Sequence, residues 1–515
     1  MHRNKPEEME LLSILKNKFG YEGFREGQFD IITDIFQGHS VLGILPTGTG
    51  KSLCYQLPAF SQKGITIVVS PLISLMVDQV KQLKARGFKR VTAINSLLDH
   101  NQRDYILKHL HDYKLIYCSP EMLQNAYFFH RLKSLSISLF VVDEAHCISQ
   151  WGHEFRTDYL KLKDRIKELG NPAVLALSAT ATPQVQEDIQ YFLDIPYLKK
   201  RIHPMDRPNI AFAIEHVTHW QEKVERIVQV LKQNPVPAMI YFSSRNWCEK
   251  VSETLNQELT GVRVAYYHGG MSSEDRLLIQ QQFMNHQLDV ICCTSAFGMG
   301  VDKQDIRLVI HFHLPTQLES FIQEVGRAGR DGKESVSFAL YTEGDEQIPL
   351  RLIEQELPTE KQVEHIFRDL LKINRTPLPL KDVKEELIAK YELTETQWNF
   401  LKYQLEQKKM IIGEQIHLQP DVLEDTRQPT LSLLRERTAI KIKKLYQFMD
   451  WIKSAGCRRK DLYRPFQESY QQPVYHCCDH CDFSFSKWSP PIQQKIEERV
   501  EGWEVELRKL FHQEA

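Results

Sequence analysis

A glycine-rich segment from Leu45 to Ser52, Leu-Pro-Thr-Gly-Thr-Gly-Lys-Ser, contains the residue types that hold a phosphate. Apolar runs flank it, which predicts a strand, a glycine loop and the start of a helix. Gly48 and Gly50 allow backbone N–H groups to turn toward a phosphate. Lys51 can then reach the β- and γ-phosphates, and the Ser52 hydroxyl can bind Mg²⁺. The full pattern has a glycine in place of Leu45, so an ordinary loop-to-helix turn is the alternative.

A pair of carboxylates, Asp143 and Glu144, directly follows another apolar run in the sequence Asp-Glu-Ala-His. A carboxylate at a strand end can hold the water shell of Mg²⁺, and its neighbour can orient or deprotonate an attacking water. An acidic helix N-terminus is the alternative. The phosphate loop on the same predicted sheet favours the catalytic interpretation.

Two arginines, Arg327 and Arg330, stand three residues apart in the segment that begins at Gln323, Gln-Glu-Val-Gly-Arg-Ala-Gly-Arg-Asp-Gly. This spacing places them on one helix face or in one turn. Rigid guanidinium groups suit a contact to a triphosphate that is bound by another lobe. A structural arginine pair is the alternative.

An aromatic-rich stretch from Cys147 to Tyr159 follows the acidic pair. Stacking faces mixed with hydrogen-bond donors suit unstacked nucleobases, whereas a core-packing loop would be less polar. Within this stretch, the residues expected to contact a nucleic-acid strand are Trp151, His153, Phe155 and Arg156.

The elements that must position these residues are short apolar strands that alternate with helical sequence. This alternation predicts an α/β fold with parallel sheets covered on both faces and with functional residues at the carboxyl ends of strands. Prolines near 203–209 mark a linker between two such sets. The predicted strands are 65–69, 115–118, 139–142 and 174–177 in the first set, and 238–242, 262–267, 289–293, 308–312 and 335–341 in the second.

Composition sets the class of protein. The chain has 515 residues, 42% hydrophobic and 26% charged, with a net charge of −2, so several globular domains are expected and any basic surface must be local. No apolar run approaches a membrane span, and the N-terminus has no apolar signal region. Three of the ten cysteines, Cys118, Cys292 and Cys293, lie in predicted apolar strands, which is typical of reduced thiols and predicts a cytoplasmic protein.

Three further motifs belong to this series: Phe24-Arg-Glu-Gly-Gln28 before the phosphate loop, and Ser178-Ala-Thr and Ala296-Phe-Gly-Met-Gly after the acidic pair. Taken in order, the motifs resemble those of the RecQ family of DNA helicases in superfamily 2. The resemblance spans about residues 10–345. It implies two RecA-like lobes that use ATP to move 3′-to-5′ on single-stranded DNA and to unwind duplex or forked DNA, in recombination and repair.

The resemblance also implies roles for individual residues. Nucleotide contacts are expected from Tyr21, Arg25, Gln28, Thr47, Gly48, Thr49, Gly50, Lys51, Ser52 and Asp302, with catalysis by Lys51, Asp143, Glu144, Gln323, Arg327 and Arg330 and Mg²⁺ held by Ser52 and Asp143. Further DNA contacts are expected from Ser70, Asn95 and Arg245. A single-strand-binding protein is a candidate partner, the chromosome is the expected location, and neither a membrane nor an oligomer is required.

The last third of the chain departs from this family pattern. Helices predicted over 359–373, 380–391 and 394–410, followed by a hairpin, suggest a winged-helix module, which is either a duplex-binding wedge or a packing domain. A helix is predicted over 432–455. Residues 435–464 carry ten Lys/Arg against three acids, which predicts a DNA-binding patch, with a solvated helix face as the alternative.

Four cysteines near the C-terminal end resemble the zinc site of the family. Cys478 and Cys481 have chelating spacing, and Cys457 and Cys477 complete the set. Tyr475 stands where the family has a cysteine, so the fourth ligand is Cys477 or His476, and a degenerate site with reactive thiols is the alternative.

The expected domains are 1–205 and 206–345 for the two lobes, 346–430 for the winged-helix-like insert, 431–485 for a helical hairpin with the zinc subdomain, and 486–515 for a final helix over 492–512. Two other hypotheses compete with a DNA helicase: an RNA helicase of the same superfamily, and a nucleic-acid regulator without turnover.

Overall fold

The computed structural model describes residues 8–95, 98–149, 156–298, 303–373, 376–467 and 470–490. The predicted final helix and most of residues 486–515 therefore lie outside the described residues. In the described part of the chain, no helix is long and apolar enough to cross a membrane.

The N-terminal lobe is an alternation of strands and helices. Its elements are α1 (Glu8–Phe19), α2 (Gln28–Phe36), β1 (Ser40–Ile44), α3 (Leu53–Ser61), β2 (Ile65–Val69), α4 (Ile73–Ala85), β3 (Val91–Ile94), α5 (His100–Lys108), β4 (Leu115–Cys118), α6 (Ala126–Lys133), β5 (Ile137–Val142), α7 (Leu162–Glu168), β6 (Ala173–Ser178), α8 (Pro183–Leu193) and β7 (Leu198–Ile202). Short 3-10 turns cover Leu110–Asp112, Met122–Gln124, Ala145–Ile148 and Thr157–Lys161.

The seven strands of this lobe form one parallel sheet in the order β3-β4-β2-β5-β6-β1-β7. The central strands are apolar along their whole length because helices cover both faces. β6 lies between β1 and β5, so the phosphate loop after β1 and the acidic pair after β5 are two strand spacings apart, about 10 Å.

The C-terminal lobe repeats this plan with six strands. Its elements are β8 (Ile210–His216), α9 (Trp220–Gln233), β9 (Ala238–Tyr241), α10 (Arg245–Glu258), β10 (Val264–Tyr267), α11 (Ser273–Met284), β11 (Val290–Cys293), β12 (Leu308–His311), α12 (Leu318–Val325) and β13 (Ser335–Tyr341). All pairings are parallel, in the order β10-β11-β9-β12-β13-β8. The prediction of two RecA-like parallel-sheet lobes is confirmed, and the predicted strands differ by at most two residues at their ends.

The remaining elements are mostly helical. They are α13 (Gln347–Glu356), α14 (Glu360–Leu371), β14 (Leu378–Pro379), α15 (Leu380–Tyr391), α16 (Glu395–Gln407), β15 (Ile411–Ile412), β16 (Gln415–Ile416), α17 (Pro420–Lys453) and α18 (Arg458–Tyr463).

One predicted helix is corrected in this region. The helix predicted over 432–455 begins at Pro420 and crosses the expected domain boundary at residue 430. Pro420 occupies the first turn, where a missing N–H costs nothing. Apolar residues of α17, such as Leu423 and Leu431, belong to the core of the preceding module, so tertiary packing rather than local sequence sets the start of the helix.

Candidate active site

The phosphate loop joins β1 to α3 as the sequence predicts. Gly48 and Gly50 have φ of 82° and 75°, in the left-handed region that glycine adopts without strain. Leu45, the residue that departs from the usual pattern, is fully buried, and its N–H donates to the carbonyl of Ser178. Leu45 therefore continues the pairing of β1 with β6, and its side chain belongs to the core rather than to the phosphate site.

Replacing Gly48 by alanine should lower ATP affinity and turnover by about tenfold or more, because an added Cβ would combine left-handed strain with a steric clash. That Cβ would lie 2.9 Å from Arg330 Cγ and 3.2 Å from Arg207 Nη1. Nucleotide titration and steady-state ATPase assays measure the effect. Gly87→Ala is the matched control, because Gly87 has φ of 89° but nothing within 4 Å of an added Cβ. An equal loss in both variants would contradict this prediction.

The segment before α2 reaches the phosphate loop. The Gln28 side-chain amide donates to the carbonyls of Thr49 at 2.7 Å and Gly50 at 3.0 Å, and its oxygen accepts from the Arg25 N–H at 2.9 Å. The Arg25 guanidinium donates to the carbonyl of Gly48 at 2.5 Å. The structure therefore places Arg25 and Gln28 at the phosphate loop, where their side chains are hydrogen-bonded to backbone carbonyls of the loop.

Tyr21 lies further out. It is 39% exposed, and its ring packs under Arg86, whose Nη1 donates to the Tyr21 hydroxyl at 2.8 Å. An exposed aromatic ring beside a guanidinium suits stacking of a flat base. Its contact with adenine remains a prediction.

The acidic pair lies at the end of β5. Burial and the negative charge of Glu144 raise the pKa of Asp143, while Lys51 opposes that shift. In return, burial lowers the pKa of Lys51, and the charges of Glu144 and Asp143 act in the opposite direction. Lys51 and the two carboxylates therefore share one electrostatic site, and its donor set, Asp143 carboxylate oxygens with the Ser52 hydroxyl, fits the hard oxygen ligands that Mg²⁺ takes.

The last residue of the acidic motif, His146, joins this site to β6. His146 is fully buried, and its Nδ1 lies 3.0 Å from the Ser178 hydroxyl and 3.4 Å from a Glu144 carboxylate oxygen. Burial and the charge of Lys51 lower the pKa of His146 to about 3, so the ring is neutral at physiological pH. A neutral imidazole can exchange hydrogen bonds with Ser178 and Glu144 without adding charge.

The C-terminal lobe closes the site from the opposite side. The Thr47 hydroxyl donates to the carbonyl of Gly326 at 3.0 Å, across the cleft. The Arg330 side chain lies against Gly48 of the phosphate loop. Arg327 instead points into its own lobe, where it is buried and donates to the carbonyl of Gly298, and Gln323 is half-buried on α12.

Arg207, in the linker between the lobes, is a site residue that sequence reasoning missed. Its guanidinium donates to the carbonyls of Thr47 at 3.0 Å, Gly326 at 3.3 Å and Gly329 at 2.6 Å, so it joins both sides of the cleft. Burial, together with the charge of Arg330, lowers the pKa of Arg207 to about 10. The sequence signal was weak, because the prolines around it marked only a linker.

The expected DNA contacts divide into three groups. Arg245 is exposed at the start of α10, and Arg156 is half-buried with Nη1 3.9 Å from a Glu121 oxygen. Ser70 and Asn95 are buried, at 1% and 3% exposure, so in this conformation their side chains do not face a strand. Three further predicted DNA contacts, Trp151, His153 and Phe155, lie outside the described residues, as does Asp302, which is a predicted nucleotide contact.

The cysteine cluster forms as predicted. The Sγ atoms of Cys457, Cys477, Cys478 and Cys481 all lie within 4.8 Å of one another. The Cys457–Cys477 and Cys478–Cys481 sulfur pairs are 3.5 Å apart, close to the about 3.8 Å that a tetrahedral ion with 2.3 Å metal–sulfur bonds requires. The donor set therefore fits a tetrahedral Zn²⁺, and adjacent cysteines reach one point.

The alternative ligand His476 points elsewhere. Its ring nitrogens face carboxylates, with Nδ1 3.5 Å from Asp482 and Nε2 3.8 Å from Glu334. The cysteine loop is also anchored to the C-terminal lobe, because the N–H of Phe212 on β8 donates to the carbonyl of Cys477 at 3.1 Å.

Part of the basic charge predicted to form a DNA-binding patch over 435–464 has partners within the protein. Arg458 and Arg459 are buried, and Arg459 donates to the carbonyl of Arg207 at 3.0 Å, which supports the interlobe linker. Lys444 is paired with Glu319 at 2.6 Å. These three residues therefore hold the helical region to the rest of the protein, and DNA binding by the other basic residues of 435–464 stays a prediction.

The fold and this site define a two-lobed nucleoside-triphosphatase of the helicase type, with one phosphate loop and an arginine from the facing lobe. Family models agree: residues 25–189 match the DEAD/DEAH box helicase model and residues 222–332 match the helicase conserved C-terminal domain. Among solved structures, the fold is similar to Mycobacterium smegmatis helicase Lhr bound to ssDNA and AMP-PNP, with a TM-score of 0.55 and 18% identity over 81% of this chain and 62% of that one.

Sequence relatives narrow the class. The chain is 42% identical to a probable ATP-dependent DNA helicase RecS of Bacillus subtilis over 97% of this chain and 98% of the relative. It is 41% identical to the ATP-dependent DNA helicase RecQ of Haemophilus influenzae, over 65% of this chain and about half, 54%, of that relative. The chain belongs to the RecQ family of ATP-dependent DNA helicases.

Proposed function

We propose that this protein uses ATP hydrolysis to move 3′-to-5′ along single-stranded DNA and to separate duplex or forked DNA. The observation that carries the proposal is the interlobe site, in which Arg330 of one lobe lies against Gly48 in the phosphate loop of the other and the Thr47 hydroxyl donates to the carbonyl of Gly326 across the cleft. A site split between two lobes makes hydrolysis depend on how the lobes meet, which is what a motor requires.

The residues of the chain divide the chemistry between them. Lys51 and the N–H groups of the phosphate loop bind the phosphates, and Glu144 orients the attacking water and accepts its proton. Arg330 stabilises charge that develops on the γ-phosphate, with Gln323 and Arg327 as further proposed contributors. Mg²⁺, when bound by Ser52 and Asp143, neutralises the charge on the phosphate oxygens.

Strand binding is proposed to rest on Arg156, Arg245 and the aromatic residues that precede Arg156. These groups contact phosphates or stack on bases, so the motor should be nearly independent of sequence. We further propose that the protein unwinds branched DNA during recombination and repair, and that it does so at the chromosome in the cytoplasm. A single-strand-binding protein is the proposed accessory partner.

Strand displacement on matched 3′-tailed, 5′-tailed and forked substrates, made of DNA or of RNA, tests this function. We expect ATP-dependent release from 3′-tailed and forked DNA, and little from 5′-tailed DNA or from RNA. Release from RNA alone, or equal release from both tail polarities, would contradict it.

We also propose one structural zinc ion, held by Cys457, Cys477, Cys478 and Cys481. Cys477→Ser should lower the bound zinc from one ion per chain to well under half, and should lower the melting temperature by several degrees, because a structural ion contributes folding free energy. Metal analysis and thermal unfolding measure both quantities. His476→Gln is the control and should keep its zinc. Zinc loss in the histidine variant with retention in the serine variant would assign the fourth ligand to His476 instead.

A further inference from the structure

The module between the C-terminal lobe and α17 has the topology of a winged helix. Its order is α14, β14, α15, α16, β15 and β16, and the small antiparallel sheet runs β14-β16-β15. In that topology α16 is the helix that would enter a DNA groove. Residues 359–418, however, carry ten basic and ten acidic residues, so the module lacks the positive charge that a duplex-binding surface needs.

The face of α16 that could meet DNA lies against the N-terminal lobe. Glu406 pairs with Lys161 of that lobe at 2.6 Å, with the side chains 19% and 26% exposed. Tyr403 and Gln407 line a cavity of about 720 Å³, with Leu160 and Lys163 on its other wall. The contact is held by charge around a cavity rather than by close apolar packing, so it can open at little cost.

The attachment of the module to the C-terminal lobe is of a different kind. The module shares its apolar core with α17, and α17 packs Phe448 and Trp451 against Phe321 of α12, with ring centroids 5.5 and 4.8 Å apart and the rings tilted. Lys444 of α17 also pairs with Glu319 of α12 at 2.6 Å. The module is therefore built onto the C-terminal lobe, and its contact with the N-terminal lobe is the one that can break when the lobes move.

Lys161 belongs to a turn that is bonded to the ATP site. The 3-10 turn Thr157–Lys161 contains Tyr159, which is fully buried and donates its hydroxyl hydrogen to the backbone carbonyl of Asp143 at 3.0 Å. The same turn contains the last residues of the aromatic-rich stretch, and the N–H of Arg156 donates to the carbonyl of Cys147 at 2.9 Å. Lys161 is therefore two residues from Tyr159, whose hydroxyl is hydrogen-bonded to Asp143, a proposed Mg²⁺ ligand. A displacement of Lys161 can thus be transmitted to Asp143 through the turn.

We propose that Lys161 and Glu406 are positioning residues for DNA-coupled ATP hydrolysis, and that α16 is a docking surface for the N-terminal lobe of its own chain rather than a reader of duplex DNA. The ion pair holds the 157–161 turn, and with it Asp143, in register with the C-terminal lobe. The inference rests on the proposed ATPase and adds a contact that nothing in the helicase motifs assigns.

A charge-swap cycle in the full-length chain tests the inference. The quantity measured is the stimulation factor, the ATPase kcat with saturating single-stranded DNA divided by the kcat without DNA. Lys161→Glu and Glu406→Lys each place like charges together and should lower this factor by about fivefold to tenfold with little change in the KM for ATP. The double variant restores the opposite-charge pair, but position 161 also contacts Asp158 at 3.1 Å and position 406 contacts Lys402 at 3.5 Å, so the swap leaves two like-charge contacts. It should therefore recover only part of the lost stimulation factor, well above the value of either single variant.

Lys384→Glu is the matched control. Lys384 pairs with Glu395 at 2.9 Å within the same module, away from the N-terminal lobe, and its loss should leave the stimulation factor unchanged. If a charge reversal prevents folding, Glu406→Gln replaces it, with an expected loss of about threefold.

Several outcomes would overturn the inference: unchanged factors in both single variants, a loss that the double variant does not repair, or a loss of forked-DNA affinity with an unchanged factor. The last of these would make α16 a duplex reader. A wild-type protein without DNA-stimulated ATPase would instead overturn the proposed function, so the two failures are distinguishable.

Discussion

Replacing Lys51 by alanine should lower the DNA-stimulated ATPase rate by a factor of about a hundred to a thousand. A loss of this size is expected when one preorganised charge is removed from a reacting centre. Lys51 is half-buried beside Asp143 and Glu144, and burial lowers its pKa against the pull of those carboxylates. A partly buried cation interacts more strongly with phosphate oxygens than a fully exposed one does. Its removal also leaves the two carboxylates next to the phosphates without a compensating charge.

Steady-state ATPase assays with and without single-stranded DNA measure this loss. Lys63→Ala is the control, because Lys63 is an exposed lysine between α3 and β2 of the same lobe, and it should leave the rate unchanged. A Lys51→Ala protein that keeps DNA-stimulated turnover would contradict the whole assignment of the phosphate loop.

Replacing Arg330 by alanine should lower kcat by about a thousandfold, because an arginine supplied from across a cleft stabilises charge that exists only in the transition state. The Arg330 side chain already lies against Gly48 of the opposite lobe. The KM for ATP should change little by comparison. Arg330→Lys should recover only a small part of the rate, since an ammonium group cannot reproduce the planar fork of a guanidinium.

Single-turnover hydrolysis with bound DNA separates this chemical step from binding. Arg351→Ala is the matched control, because Arg351 is exposed on α13 and lies outside the cleft segment 323–332. An Arg330→Ala protein with wild-type kcat would remove Arg330 from the catalytic site and would shift the role to Arg327, which in this arrangement is buried against Gly298.

The ATP site was largely predictable because its signals are local. A glycine loop between a strand and a helix has few other uses, and carboxylates after an apolar strand fall at the same sheet edge in any parallel fold. The structure adds the reason why Leu45 is tolerated, since that residue extends β1 and faces the core.

Other predictions stay untested because they depend on which surface the fold covers, and the sequence does not show this. Ser70 and Asn95 have polar side chains at strand ends, but the fold buries them. The sequence predicts that Arg458 and Arg459 are exposed charges, but both are buried, and Arg459 donates a hydrogen bond to the interlobe linker. Charge composition alone does not reveal whether a guanidinium faces water or a backbone carbonyl.

The sequence by itself determined the class of chemistry, the two lobes and a cysteine-rich candidate metal site, because each of these follows from short patterns with a local physical cause. The choice between Cys477 and His476 as the fourth candidate ligand needed the structure. Only the tertiary structure shows which residues connect the two lobes to each other and to the C-terminal module. Arg207 bridges the cleft, and Glu406 meets Lys161 across 245 positions of the chain, because folding places side chains together that no spacing relates. Long-range contacts of this kind depend on the packing of whole elements, and in this protein they are where the ATP site acquires its link to the winged-helix module.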